Sequence, residues 1–262
     1  EWSPDSKYLL YSDRTLKLWL VDAASGKQTV IDEATAEEIR DYSFSPDGEW
    51  IAYSKSSPNY QSALWLYRIS TGTRHQITDA SFSDMQPRFS RDGKFLFFTS
   101  NRDFNLAFSS FEFDYLYNNA GRIYALPLRN DGTTLTRYKN DTEPSDSSKN
   151  DSIQASAKGK TPLKVEIDLE NIESRIVALP VEPGDYLIIG AVEEGLLYAS
   201  GNKIMRYNIN SEKSEEILDG AGNGSLSADG KSLIYRIGND YAVAKNQPGQ
   251  KGGADKIELT NL

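Results

Sequence analysis

The sequence predicts an all-β protein, a β-propeller built of four-stranded antiparallel blades. Three observations support this fold class: a recurring Ser-Pro-Asp-Gly turn, a repeat length of 42 to 46 residues, and strands whose residues alternate between two faces. A helical solenoid would show a sustained period of 3.6 residues. The only helix-compatible stretch, residues 33–39, is too short to support a helical class.

Copies of the repeat begin at Trp2, Phe44, Phe89 and Leu226. The first three lie 42 and 45 residues apart, and the gap of 137 residues before the fourth leaves room for a degenerate copy and an insertion. We place the degenerate copy at residues 192–198. Each copy starts with an apolar residue that ends one strand, makes a tight turn and continues as the next strand.

The second copy shows why these residues form a turn. Pro46 presets φ, Asp47 can accept a hydrogen bond from the main chain two residues on, and Gly48 accommodates a positive φ. After the turn the side chains should alternate between two faces. One face would present Trp50, Ala52 and Ser54, and the other would present Ile51, Tyr53 and Lys55.

The spacing predicts five blades, and the first should lack its innermost strand. This favours a truncated ring of six or seven blades over a closed ring of five, and we expect the unpaired strand edges to cause self-association. The third blade should contain a disordered surface insertion at residues 139–161, where Ile153 is the only large apolar residue. The predicted blades are residues 1–40, 41–86, 87–180, 181–220 and 221–262.

Composition excludes several functional classes. The net charge is −9, and no basic stripe offsets it, so nucleic acid is not an expected partner. The absence of cysteine excludes disulfides, thiolate zinc sites and a cysteine nucleophile. No stretch approaches the 18 apolar residues that indicate a membrane span. We therefore expect no cofactor, no metal and no membrane-spanning segment.

No catalytic residue is expected in this chain. His75 is the only histidine, it lies in a predicted outer strand, and no GxSxG elbow accompanies it. Neighbouring glutamates such as Glu193 and Glu194 would point to opposite faces of a strand, so they would not share a substrate. These residues are better explained as ordinary surface groups.

One aromatic segment, residues 101–117, is the candidate binding site. Phe104 and Phe108 lie near Arg102 in a predicted loop at the end of the ring, where propellers bind ligands. An arginine beside exposed aromatic rings could hold a peptide carboxylate and the apolar side chains next to it. The remaining aromatic residues alternate and should form a buried strand face: Phe111, Phe113, Tyr115 and Tyr117.

The turns resemble the PD40-type repeats shared by the TolB propeller, prolyl-oligopeptidase-like propellers and the tricorn proteases. Later segments resemble consecutive landmarks of the second propeller of bacterial tricorn-type serine peptidases, over about the last 160 residues. Residues 167–181 are the most specific of them. The turns depart from the repeat at Ser6, which replaces Gly, and at Arg91 and Ala228, which replace Pro. The landmarks are SNRDFNLAFSSFEFDYLY, RIYALPLRNDG, VEIDLENIESRIVALPVEPGDY and DKIELTNL.

This resemblance implies a non-catalytic propeller that gates or channels unfolded peptides toward a catalytic core. The implied partners are peptides or unfolded polypeptide, PDZ and protease domains downstream in the parent chain, and further copies of the protein in a homo-oligomer. The parent would be a serine-type peptidase whose catalytic serine and histidine lie outside this chain. Both periplasm and cytoplasm remain open as its compartment.

Two other functions remain open at this point. A TolB-like chain would be a scaffold that docks other envelope proteins. A prolyl-oligopeptidase-type enzyme would carry an α/β-hydrolase domain with a GxSxG elbow. The sequence that follows residue 262 in the parent reading frame would distinguish all three.

Overall fold

The computed structural model describes residues 1–103, 106–111, 113–117, 119–135 and 163–258. Within these residues the chain is built of β-strands, with one 3-10 helix at Ile172–Arg175. The strands are β1 (Tyr8–Ser12), β2 (Lys17–Asp22), β3 (Gln28–Glu33), β4 (Tyr42–Phe44), β5 (Trp50–Ser56), β6 (Ser62–Arg68), β7 (Thr73–Gln76), β8 (Asp84–Phe89), β9 (Phe95–Ser100), β10 (Leu106–Ser109), β11 (Asp114–Tyr117), β12 (Arg122–Pro127), β13 (Val177–Ala178), β14 (Leu187–Val192), β15 (Gly195–Ser200), β16 (Lys203–Asn208), β17 (Lys213–Asp219), β18 (Gly224–Leu226), β19 (Ser232–Ile237), β20 (Asp240–Lys245) and β21 (Gln250–Lys251).

Successive antiparallel sheets follow one another along the chain, and we call them blades 1 to 5. Blade 1 contains β1–β3, blade 2 contains β4–β7, and blade 3 contains β8, β9, β12 and β13. Blade 4 contains β14–β17, extended by the parallel strand β21, and blade 5 contains β18–β20. The strands β10 and β11 form a separate hairpin between β9 and β12. The predicted fold class, an all-β propeller, is confirmed, and the predicted insertion at residues 139–161 lies outside the described residues.

The first hairpin of a blade is closed by a turn with a fixed set of hydrogen bonds. In blade 2, the Ser45 hydroxyl donates to Asp47 Oδ1 at 2.5 Å and accepts from the main-chain N of Trp50 at 2.8 Å. Asp47 Oδ1 also accepts from the N of Glu49, two residues on, at 3.1 Å, and Gly48 has φ of 73°. The same serine–aspartate contact recurs at Ser3–Asp5, Ser90–Asp92 and Ser227–Asp229.

The hydrophobic core lies between the blades. In β5, Trp50 and Ala52 pack in a cluster with blade 3, whereas Ile51 and Tyr53 pack in a cluster with blade 1. Equivalent clusters lie between blades 3 and 4 and between blades 4 and 5. The predicted alternation is therefore confirmed, and both faces of a middle blade are buried because each packs against a neighbour.

The first strands of blades 2 to 5 lie next to one another, and we call their combined surface the axial surface. It comprises β4, β8, β14 and β18. The Ser43 hydroxyl of β4 donates to the Pro87 carbonyl of β8 at 2.9 Å. The main-chain N of Ile188 in β14 donates to Gln86 Oε1 of β8 at 2.7 Å, and β14 in turn contacts β18.

A strap, residues 163–176, covers the interface between blades 2 and 3. The main-chain N of Val165 donates to Asp47 Oδ2 in the blade 2 turn at 2.7 Å. Val165 and Ile172 are buried in the cluster that blades 2 and 3 share. Arg175 Nε donates to the Pro127 carbonyl at the end of β12 at 3.0 Å. The strap thus connects both blades before the chain continues into β13.

Candidate functional site

Arg102, a predicted binding residue, follows β9 and is turned into the protein. Its Nη2 lies 2.8 and 2.7 Å from the two carboxylate oxygens of Asp84, and its Nε donates to the Ser100 hydroxyl at 2.9 Å. The Arg102 side chain is 14% exposed and that of Asp84 is 1% exposed. Since Asp84 begins β8, this ion pair anchors the segment after β9 to the innermost strand.

Aromatic rings surround the same guanidinium. Its central carbon lies 5.2 Å from the ring centre of Phe82, 5.6 Å from that of Phe98 and 5.4 Å from that of Tyr124. These distances are within the range of cation–π attraction. Burial, together with the nearby Asp103 carboxylate, raises the pKa of Tyr124. A peptide carboxylate would have to compete with Asp84 for Arg102, and this binding role stays a prediction.

The two predicted phenylalanines are placed differently. Phe104 lies outside the described residues, whereas Phe108 lies on β10 with 56% of its surface exposed. The Phe108 ring meets that of Phe113 edge to face at 6.3 Å. Phe111 and Phe113 are 91% and 82% exposed, so the expectation that they lie on a buried strand face is wrong. They lie in the turn of the β10–β11 hairpin, which is a sheet separate from blade 3.

The axial surface carries functional candidates that the sequence did not indicate. Met85 of β8 and Leu187 of β14 are 39% and 40% exposed although they lie on innermost strands. On β8, which also carries Met85, Arg88 Nη1 donates to the Tyr42 carbonyl at 2.9 Å. Burial raises the pKa of Glu1, against the lowering effect of the Arg88 charge. This surface offers apolar contacts together with a small number of charged groups.

The structure adds little to the catalytic candidates. His75 lies on β7, the outer strand of blade 2, in register with Leu66 of β6, as its predicted strand position requires. Among the described residues, no three histidine, aspartate or glutamate side chains converge in a way that could hold a metal ion. No helix in the described part of the chain is long and apolar enough to cross a membrane.

Consecutive antiparallel sheets of three to five strands, apolar cores between them and adjoining first strands define this molecule as a β-propeller domain. The family model described as the tricorn protease second beta propeller domain matches residues 1–247. The chain belongs to this family. The resemblance to tricorn-type peptidases inferred from the sequence landmarks is thereby confirmed.

Curated relatives agree with this family. The chain is 26% identical to the tricorn protease of Thermoplasma volcanium, over 94% of this chain and 25% of that protein. It is 24% identical to tricorn protease homolog 1 of Streptomyces coelicolor, over 99% of this chain and 26% of that protein. The chain thus spans about a quarter of the length of the curated relatives it matches.

Solved structures show the same fold. The crystal structure of the tricorn protease matches with a TM-score of 0.75 and 19% identity, over 93% of this chain and 24% of that chain. TolB from Acinetobacter baumannii matches with a TM-score of 0.57 and 20% identity, over 91% of this chain and 50% of that chain.

Proposed function

We propose that this chain is the non-catalytic propeller domain of a tricorn-like serine protease. In this role it admits unfolded peptides and channels them toward a catalytic core elsewhere in the parent chain. The observation that carries the proposal is that the chain corresponds to one propeller domain within relatives that are themselves named proteases. Protease and PDZ domains of the parent, and further copies of it in a homo-oligomer, are the partners that this role requires.

The axial surface supports a channelling role. An extended polypeptide presents apolar side chains and main-chain groups, and it would slide best along a surface without strong ion pairs directed at it. Met85 and Leu187 provide exposed apolar contacts on adjoining innermost strands. A folded protein would bury its apolar side chains and so gain less from this surface.

The β10–β11 hairpin supports initial capture of a peptide. Phe108, Phe111 and Phe113 expose large aromatic rings on one short hairpin. Exposed aromatic groups that cluster in this way are typical of binding surfaces. We assign Phe108, with Phe104 and Arg102 next to it in the sequence, to the proposed peptide-binding region.

The proposal is tested in the parent protein by placing a charge on the axial surface. We expect Leu187→Arg to lower kcat/KM for unfolded casein by about tenfold, because a passing apolar segment would have to desolvate the guanidinium. Hydrolysis of a fluorogenic tripeptide, which needs little of this surface, should change less than about twofold. The measurement is steady-state kinetics with both substrates on the same enzyme preparation.

Val30→Arg is the matched control. The exposed fraction of Val30 is 41%, close to the 40% of Leu187. Val30 lies on β3, however, which is the outer strand of blade 1. The control should leave hydrolysis of both substrates unchanged. Equal loss of casein hydrolysis in both variants, or no loss in Leu187→Arg, would show that long substrates do not pass along the axial surface.

A further inference from the structure

A cavity of about 400 Å³ lies between blades 4 and 5, at the end of the molecule where the first-hairpin turns lie. Its volume is within the usual range of small-ligand pockets. Charged groups of both signs line it, and the residues that matter below are Arg91, Glu193, Glu194, Asp229, Lys231 and Asn246.

Arg91 connects three blades at this cavity. It occupies the turn position that is Pro46 in blade 2. From blade 3, its Nε donates to the Ala191 carbonyl of blade 4 at 3.1 Å, and its Nη2 donates to the Ala228 carbonyl of the blade 5 turn at 2.8 Å. Its Nη1 donates to the Asp229 carbonyl at 3.4 Å. Within the described residues these acceptors are all main-chain carbonyls, so the guanidinium keeps its positive charge and two of its five N–H donors.

Gly230 makes room for this arginine. A Cβ atom at Gly230 would lie 2.7 Å from Arg91 Nη2, and φ is +72° there. The next residue, Lys231, is exposed and adds a second positive charge to the cavity wall. The Asp229 carboxylate accepts from the Ser227 hydroxyl at 2.6 Å and from the N of Lys231 at 3.0 Å. These hydrogen bonds, together with the charges of Lys231 and Arg91, lower the pKa of Asp229.

The opposite charges come from the turn between β14 and β15. Glu193 and Glu194 are exposed at that turn, and Glu194 accepts from Asn208 Nδ2 at 2.9 Å. Arg206 is held by Glu215 at 2.8 Å through its Nε, so it does not neutralise Glu193. The cavity therefore presents groups of both charges.

Asn246 provides an acceptor that lacks a donor. Its Nδ2 donates to the Gly230 carbonyl at 2.9 Å. Its Oδ1 is buried, and no described group donates a hydrogen bond to it. A buried acceptor without a donor is unfavourable, so a ligand N–H at this point would stabilise the site.

We propose that this cavity binds a short peptide by its two charged ends. The peptide carboxylate contacts Arg91 and Lys231, the ammonium group contacts Glu193, and a peptide N–H donates to Asn246 Oδ1. The choice of a peptide over another zwitterion rests on the proposed function. Charged groups of both signs and the unpaired acceptor match a peptide better than a simple anion.

The test is isothermal titration calorimetry of the 262-residue chain with tri-alanine at low ionic strength. N-acetyl tri-alanine and tri-alanine amide each lack one charged end. Each should bind about two- to fivefold more weakly than tri-alanine, because each lacks one charged contact and contacts between exposed charges contribute modestly.

Arg91→Pro is the decisive variant, since proline occupies the equivalent position in blades 1 and 2 and suits the turn. It should weaken tri-alanine binding and remove the difference between tri-alanine and its amide. Lys231→Ala should act in the same direction. Lys7→Ala, at the equivalent position in blade 1, is the control and should leave binding unchanged.

Three results would overturn the proposal. The first is equal binding of tri-alanine and its amide, and the second is an Arg91→Pro variant that still distinguishes them. The third is displacement of bound tri-alanine by inorganic phosphate at a concentration equal to that of the peptide. This would indicate a simple anion site. A negative result in these binding experiments would not contradict the proposed channelling function, because that function is tested separately by casein hydrolysis in the parent protein.

Discussion

Blades 3 and 5 share one architecture but bury their second strands differently. In blade 3, every residue of β9 is buried, from Phe95 to Ser100. In blade 5, β19 alternates: Leu233 and Tyr235 are buried, whereas Ile234 is 42% exposed. Blade 3 packs between blades 2 and 4, while blade 5 packs against blade 4 alone among the described residues. The number of neighbouring blades therefore decides whether a strand is buried on one face or on both.

The largest expected effect on stability comes from truncating a side chain on β9, the strand that is buried on both faces. Phe97→Ala removes a fully buried ring between blades 3 and 4 and should lower the free energy of unfolding by about 3–5 kcal/mol. Ile234→Ala on the exposed face of blade 5 should cost less than about 1 kcal/mol. Urea unfolding of both variants gives the comparison, and similar losses would mean that blade 5 is covered on both faces in solution.

The second effect concerns the ion pairs of the same two blades. Arg102→Lys keeps the charge but loses the planar contacts with Asp84, Ser100 and the aromatic rings, so it should cost about 2 kcal/mol. Lys256→Gln breaks the Lys256–Asp240 pair of blade 5, where both side chains are more than half exposed. An exposed pair contributes little, so thermal unfolding should hardly change. If Arg102→Lys is as stable as the wild type, the contacts of Arg102 with Asp84 are not needed for stability. Arg102 could then serve the proposed peptide-binding role.

A third prediction concerns the pH dependence of the contact between blades 1 and 2. Asp32 of blade 1 is 3% exposed and contacts Lys55 at 2.8 Å and Arg74 at 2.6 Å, both in blade 2. Burial raises its pKa, but the hydrogen bonds from Lys55 and Tyr53 outweigh this and hold the pKa below its usual 3.8. Because the folded pKa is depressed, the stabilisation is complete above the unfolded value and disappears as the pH falls through the folded one.

The matching variant is Asp32→Asn, which should cost about 2 kcal/mol at pH 7. The difference between wild type and variant should then shrink when unfolding is measured from pH 5 down to pH 3. A difference that is independent of pH across this interval would show that the Asp32 charge does not hold blade 1 to blade 2.

The smallest expected change in stability is on the exposed face of blade 5. Val243→Lys combined with Ile234→Lys should shift the melting temperature by only a few degrees, because both side chains are about 40% exposed. The same variant should reduce self-association of the chain in sedimentation velocity, because charges discourage contacts between apolar surfaces. Unchanged self-association would place the contact on another surface.

The repeat predicted most of the fold because its turn chemistry is local. Ser45, Asp47 and Gly48 make contacts within six residues, so their pattern alone predicts a hairpin and its two faces. The strap could not be predicted in this way. The hydrogen bond from Val165 to Asp47 joins residues 118 positions apart, and no periodic signal connects them.

The candidate site was less predictable for two separate reasons. Arg102 and Asp84 lie close because the pairing of β8 with β9 sets Asp84 opposite Ser100. Further along the same two strands, a bulge between Met85 and Arg88 shifts the register by one residue. Composition gives no sign of such a shift. Phe111 and Phe113 continue the alternation of a strand although they lie in a turn. Alternating aromatic residues give the same sequence pattern on a buried strand and in an exposed hairpin.

The strap also sets an order of folding events. The interface between blades 2 and 3 is complete only when Val165 and Ile172 dock on it, which requires closing a loop that starts near Asp47. Closure of so long a loop is entropically costly, and contacts of large sequence separation form slowly. During synthesis, we expect the hairpins of blades 2 and 3 to form early. Part of their shared apolar interface then stays uncovered until the strap has emerged from the ribosome. We therefore expect folding of this region to be complete only after residues 163–176 have been translated.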